Sequence, residues 1–260
     1  MRAVAALALL VLAGACARDG EPARDGAVAD LRPLDAASAD SPLADALTDA
    51  GPGDAFVPAP GFGALSGQCG VLDDDEWDAT TTPFLFRNAI DFGTQSFDAN
   101  KLTPGGKQIW TEGNRGGSSE HSEVIAFEVL HRCELAQLIK SETKIEYRNA
   151  GGKKTDMLVQ IDARRVGVSV TRAYHYPPSS PYTAAEARTL LDNKLAALPL
   201  SRANGKPPDT WTRSVLHVMA YDRQHADVVQ QVWAKQVSAA TKGNAILVLT
   251  VTDGKDDFVY

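Results

Sequence analysis

Hydrophobic and polar positions recur along the second half of the chain with two different periods, and each period names an element. From residue 122 to residue 140 the spacing is helical: at about 100° per residue, Ile125, Phe127, Leu135, Ala136, Leu138 and Ile139 fall in one arc with Val124. Beyond it the period drops to two. Residues 143–147, 155–162 and 165–172 read as strands, divided by Asn149-Ala150-Gly151-Gly152 and by a short turn at Ala163-Arg164. Met157, Val159 and Ile161 share one face of the second strand, and Val166, Val168 and Val170 share one face of the third. Tyr182-Thr183-Ala184-Ala185-Glu186 has the capping-box form and opens a helix expected to reach about Leu198, where Pro199 ends it. Residues 214–221 then form a strand. Residues 226–240 form a helix with Val229, Val232, Trp233 and Val237 on one side, and residues 244–252 form a buried, β-branched strand. The order helix, three strands, helix, strand, helix, strand predicts an α/β fold, a mixed sheet with helices on both faces.

The first half is less regular. Residues 61–117 are rich in Gly, Asp and Thr, with short apolar patches at residues 83–86 and 109–110. They are expected to be an irregular extension, with one or two short strands, ahead of an α/β domain over residues 118–260. Residues 17–60 hold nine acidic residues against Arg18, Arg24 and Arg32, with repeated prolines and few large apolar side chains. That composition predicts a flexible acidic stalk within residues 16–60. Ahead of it, Met1-Arg2 and a ten-residue run of Ala, Val and Leu at residues 3–12 predict a signal peptide over residues 1–15, the run being too short for a bilayer core that needs about 20 residues.

The signal ends in Leu12-Ala13-Gly14-Ala15-Cys16, which resembles the lipobox of bacterial lipoproteins. The resemblance implies that Cys16 is acylated and becomes the mature N-terminus. The partner is then a membrane, reached through a lipid anchor, and the location is the cell envelope, facing the periplasm or the exterior. Acylation of Cys16 leaves Cys69 and Cys133 as an even pair in an exported protein. Cys133 projects about 180° from the apolar arc of its helix, towards a covering segment, so a Cys69–Cys133 disulfide is expected.

Composition changes this picture only in part. With 44% hydrophobic and 23% charged residues, whole-chain disorder and collagen-like repetition are excluded. The net charge of -7 argues against a generally basic nucleic-acid binder. Most of that charge belongs to the stalk, however. Residues 61–260 carry 22 basic and 24 acidic residues, so the domain is nearly neutral and has room for a local basic face.

Candidate chemistry starts at Glu128, which projects at about 40°, between Leu135 and Ile139 in the apolar arc. A carboxylate there requires a partner, a hydrogen bond or a metal, and His131 and Arg132 project towards it. Asp156 opens the second strand on the face opposite Met157, Val159 and Ile161. Ser169 and Thr171 occupy the matching face of the third strand, and Arg172 follows. Glu128, Asp156, Ser169, Thr171 and Arg172 are therefore expected to converge at one end of the sheet. His121, His131, His175, His217 and His225 show no zinc spacing, and neither a Gly-x-Ser-x-Gly elbow nor a phosphate loop occurs. Lys153, Lys154, Arg164 and Arg165 flank the hairpin turns as a modest basic cluster.

Between about residues 122 and 251 the arrangement resembles the PD-(D/E)XK nuclease superfamily, whose core is a helix, three strands, a helix and a further strand. Phe127-Glu128 matches its helical glutamate, Thr155-Asp156 its first acid, and Val168-Ser169-Val170-Thr171-Arg172 its acid-x-lysine strand. Ser169 replaces the second acid and Thr171 the lysine, and Arg stays charged and is a poor proton acceptor. The resemblance thus implies an exported lipoprotein with a binding or scaffold role, for a nucleic-acid or protein ligand, on an inactive nuclease-like fold without cofactor. The alternative it implies is a metal-dependent nuclease acting on extracellular nucleic acid, with Glu128 and Asp156 holding Mg²⁺.

Overall fold

A computed structural model describes residues 56–115, 118–178 and 180–260. The signal peptide, Cys16 and the stalk as far as residue 55 lie outside the described residues. In chain order the elements are β1 (Ala64–Gly67), α1 (Asp74–Asp78), β2 (Phe84–Asp91), α2 (Pro104–Glu112), α3 (Glu120–Glu134), β3 (Gln137–Ser141), β4 (Met157–Ile161), β5 (Arg164–Ala173), α4 (Ala184–Asn204), β6 (Arg213–Ala220), α5 (Arg223–Lys235), α6 (Ala239–Lys242) and β7 (Ile246–Asp253).

The strands form one mixed sheet in the order β1-β2-β7-β6-β5-β4-β3. Its centre, β2-β7-β6-β5, is parallel, and β1, β4 and β3 pair antiparallel at the flanks. The register aligns Val168, Val215 and Ile246 on one face, where they pack beneath α2 and α3 around Val124, Ile125 and Phe127. Leu216, Val218, Leu247 and Leu249 line the other face under Leu191 and Leu195 of α4 and Val229 and Val232 of α5. Parallel strands need helical crossovers, and these crossovers leave both faces of the sheet covered, as expected. Among the described residues no helix is long and apolar enough to cross a membrane.

Three sequence expectations need correction. The first helix stops at Glu134 rather than near residue 140, because Leu135 turns left-handed at φ 53° and the chain reverses into β3. Leu138 then pairs opposite Val159, so the first of the three strands is residues 137–141. Residues 143–147 make no strand, only an isolated bridge between Tyr147 and Gly205. Second, α4 runs through Pro199 to Asn204, with Leu198 and Ser201 buried on either side of the proline. Third, residues 61–117 are not merely irregular. They supply β1 and all eight residues of β2, which pair in register with β7, and the described residues from 56 to 260 form a single compact unit with no division at residue 118.

The end of α3 fastens the segment that leads into the sheet. The Arg132 guanidinium donates to the carbonyls of Ala59, Phe62 and Gly63 at 2.8 Å each. Cys133 is disulfide-bonded to Cys69, the pair expected from the cysteine count. The Glu134 carboxylate accepts from the backbone N–H groups of Gly70, Val71 and Leu72 at 3.0–3.1 Å. Three consecutive side chains therefore hold residues 59–72 against one helix.

Candidate functional site

Asp156 immediately precedes β4, and the pairing of Met157 with Val168 sets it beside Ser169. Its Oδ2 accepts from the Ser169 hydroxyl at 3.2 Å and from the Val170 N–H at 2.6 Å. α4 adds a cation: Lys194 Nζ donates to the Val170 carbonyl at 3.0 Å. Burial pushes the Asp156 carboxyl above its usual range, while the Lys194 charge, the Val170 N–H and the Ser169 hydroxyl pull against it. Asp156 and Ser169 thus meet as the strand alternation predicted.

Glu128 does not join them. It is fully buried in α3, where its Oε1 accepts from the Thr103 hydroxyl at 2.7 Å and the Thr103 N–H at 2.9 Å. Thr103 is the N-cap of α2, so Glu128 holds that helix end in place. Its Oε2 is buried without a partner, and burial raises its pKa, with His131 and Arg132 opposing only through their charge. Arg172 is also elsewhere. Its guanidinium donates to the carbonyls of Ser118, Val259 and Tyr260, tying the last turn of the chain to the loop before α3. Thr171 is half-buried two residues beyond Ser169 on the same strand.

The acid on α3 that bears on Asp156 is Glu123. Its Oε1 accepts from Ser119 Oγ at 2.7 Å and Asn114 Nδ2 at 3.3 Å. Burial, and then the neighbouring Asp156 charge, push its carboxyl up to about 7. Glu142 adds to the field on both acids, and its Oε2 takes the Arg115 N–H at 2.9 Å. Tyr147 closes one side, its hydroxyl exchanging hydrogen bonds with the N–H and carbonyl of Thr155.

Sequence reasoning missed Glu123 and Lys194. For Lys194 a signal existed. Ala187, Leu191, Leu195 and Leu198 are the buried stripe of α4, and Lys194 sits within that stripe at helical spacing. An ammonium on an apolar stripe requires a partner as much as a carboxylate does. Chemically, the cluster offers a carboxyl able to exchange a proton near neutrality, a second carboxylate and a cation. Among the described residues no three His, Cys, Asp or Glu side chains are grouped to hold a metal ion. Glu128 Oε1 is taken by Thr103 and Asp156 Oδ2 by Val170 and Ser169, so the two acids that the resemblance assigns to Mg²⁺ are engaged separately.

Fold and site together define a mixed α/β domain with a buried carboxylate–lysine cluster at the junction of α3, β4, β5 and α4. A protein of Dictyostelium discoideum described as AAC-rich mRNA clone AAC4 protein is 37% identical over 153 residues, which is 56% of this chain. The chain spans only 22% of that protein's length. No family model matches the chain, and no solved structure matches it.

Proposed function

We propose that the protein is an exported lipoprotein, anchored through Cys16 to a membrane of the cell envelope, whose domain is a nuclease-like scaffold with a binding role. Several features support this reading. The segment from α3 to β6 runs helix, three sequentially adjacent strands, helix and a strand parallel to its neighbour, the order that the PD-(D/E)XK resemblance implies. The observation that carries the reading is Ser169 against Asp156 at 3.2 Å. By the resemblance, Ser169 stands in the position of the second carboxylate that phosphodiester hydrolysis needs, and its hydroxyl donates to the first acid.

One observation favours the competing reading, hydrolysis of extracellular nucleic acid. Lys194 brings from α4 a cation that Thr171 does not provide. The purified protein is therefore incubated with plasmid DNA and RNA in the presence of Mg²⁺ or Mn²⁺, alongside Asp156→Ala. No cleavage above background is expected. Metal-dependent cleavage that disappears in Asp156→Ala would establish the nuclease reading. Mass spectrometry of the mature N-terminus checks the anchor: an acylated Cys16 is expected, and a free N-terminus elsewhere removes it.

A further inference from the structure

The loop between β3 and β4 is laced to the end of α4 by a dense set of bonds. Arg148 N–H donates to the Asn204 carbonyl at 2.8 Å and Arg148 Nε to the Gly205 carbonyl at 3.1 Å. Asn204 Nδ2 in turn donates to the carbonyls of Asn149 and Lys153, and Lys206 N–H to that of Glu146. The two segments therefore present one fixed surface.

That surface is strongly basic. Residues 144–154 and 202–206 contribute Lys144, Arg148, Lys153, Lys154, Arg202 and Lys206 against the single acid Glu146, which pairs with Lys206 at 3.2 Å. The whole of residues 61–260 has more acidic than basic residues, so this face is a local reversal of sign. Lys144, Arg148, Lys153 and Lys206 are exposed, and Lys154 lies over the Tyr147 ring.

We propose that this basic face docks on an anionic lipid surface, so that the domain lies against the membrane to which it is tethered. The inference rests on the lipoprotein reading. The roughly 40 residues between Cys16 and the described domain cap its distance from such an anchor at about 140 Å even when fully extended, which raises the local concentration of headgroups around the patch. Weak attraction of several clustered Lys and Arg to anionic headgroups then suffices, since each contact needs only a phosphate and no sequence readout. A tethered membrane presents such a face with an extended polyanion at high local concentration.

The test uses the mature chain, residues 16–260, as Cys16→Ser, produced without the signal peptide, which removes both the acyl anchor and the apolar leader and leaves the patch to act alone. It is sedimented with vesicles of phosphatidylcholine, with and without phosphatidylglycerol. Binding is expected only to the anionic vesicles and is expected to weaken as salt rises. Lys153→Glu/Lys154→Glu should lower partitioning by about tenfold or more, whereas Lys235→Glu/Lys242→Glu, the same charge change on another surface, should not. Circular dichroism confirms that each variant is folded. Equal binding to neutral vesicles, an equal effect of the control pair, or tighter salt-sensitive binding to duplex DNA than to anionic vesicles overturns the proposal. Failure of the lipoprotein reading registers separately, as an unacylated Cys16 in the wild-type mass spectrum.

Discussion

Glu123 and Glu128 stand five residues apart on α3, both buried, with different surroundings. Glu128 is engaged by the cap of α2, whereas Glu123 faces the charge of Asp156. The folded chain holds a proton on Glu123 up to about 7 from an ordinary 4.5, so it binds more protons than the unfolded chain across that interval. Stability from this group is then highest below pH 4.5, falls as pH rises to about 7, and is flat beyond. Glu123→Gln keeps the oxygen that accepts from Ser119 and abolishes the titration. Its thermal stability should match the wild type near pH 4 and exceed it at pH 8 by on the order of 3 kcal/mol. Melting curves across that range check it, and a parallel pH profile in the two proteins would show that Glu123 is not held against its ionisation. A gain of this sign marks a residue whose placement costs stability, as residues in functional sites commonly do.

At the scale of elements, α2 and α3 are locked through a glycine. Within a helix, Gly→Ala ordinarily stabilises by about 1 kcal/mol. At Gly106 in α2 a Cβ would stand 2.1 Å from Glu128 Oε1, a fully buried side chain with little room to move. Gly106→Ala is therefore expected to destabilise by roughly 1–3 kcal/mol, and Gly106→Ala with Glu128→Ala should cost clearly less than the two single changes added together. Chemical denaturation of the four proteins measures this, and additive costs would show that the two residues do not meet. The same helix explains what could and could not be read beforehand. β4 and β5 follow from period-two alternation, and α4 from its capping box. An apolar arc singles out a carboxylate only when the rest of the helix faces water, and α3 is buried from Ser122 to Glu134 except at His131, so Glu128 had no special claim over Glu123. β3 was hidden for a related reason: Leu138 and Ile139 fit the helical arc as well as a strand, and the break at Leu135 lacks the Gly or Pro that usually announces one.

For the whole molecule, the question is which residues make one folding unit. Richness in Gly, Asp and Thr made residues 61–117 read as an irregular extension, yet Ile90 and Phe92 are completely buried, and β2 covers one edge of β7 along its entire length. A fragment of residues 118–260 would lose β1, β2 and α2. It would also expose the Ile246–Asp253 edge, bare the α3 core face around Phe127, and leave Arg132 and Glu134 without the backbone groups they bind. An open apolar parallel edge invites pairing with another chain. The fragment also loses the Cys69–Cys133 disulfide that fastens α3 to the segment ahead of β2, leaving Cys133 as a free thiol. The 118–260 fragment is expected to be aggregated or unfolded, whereas residues 56–260 give a dispersed amide spectrum and a cooperative melt. A soluble, cooperatively melting 118–260 fragment would show that the helix-strand core is independent and that β1 and β2 only decorate it.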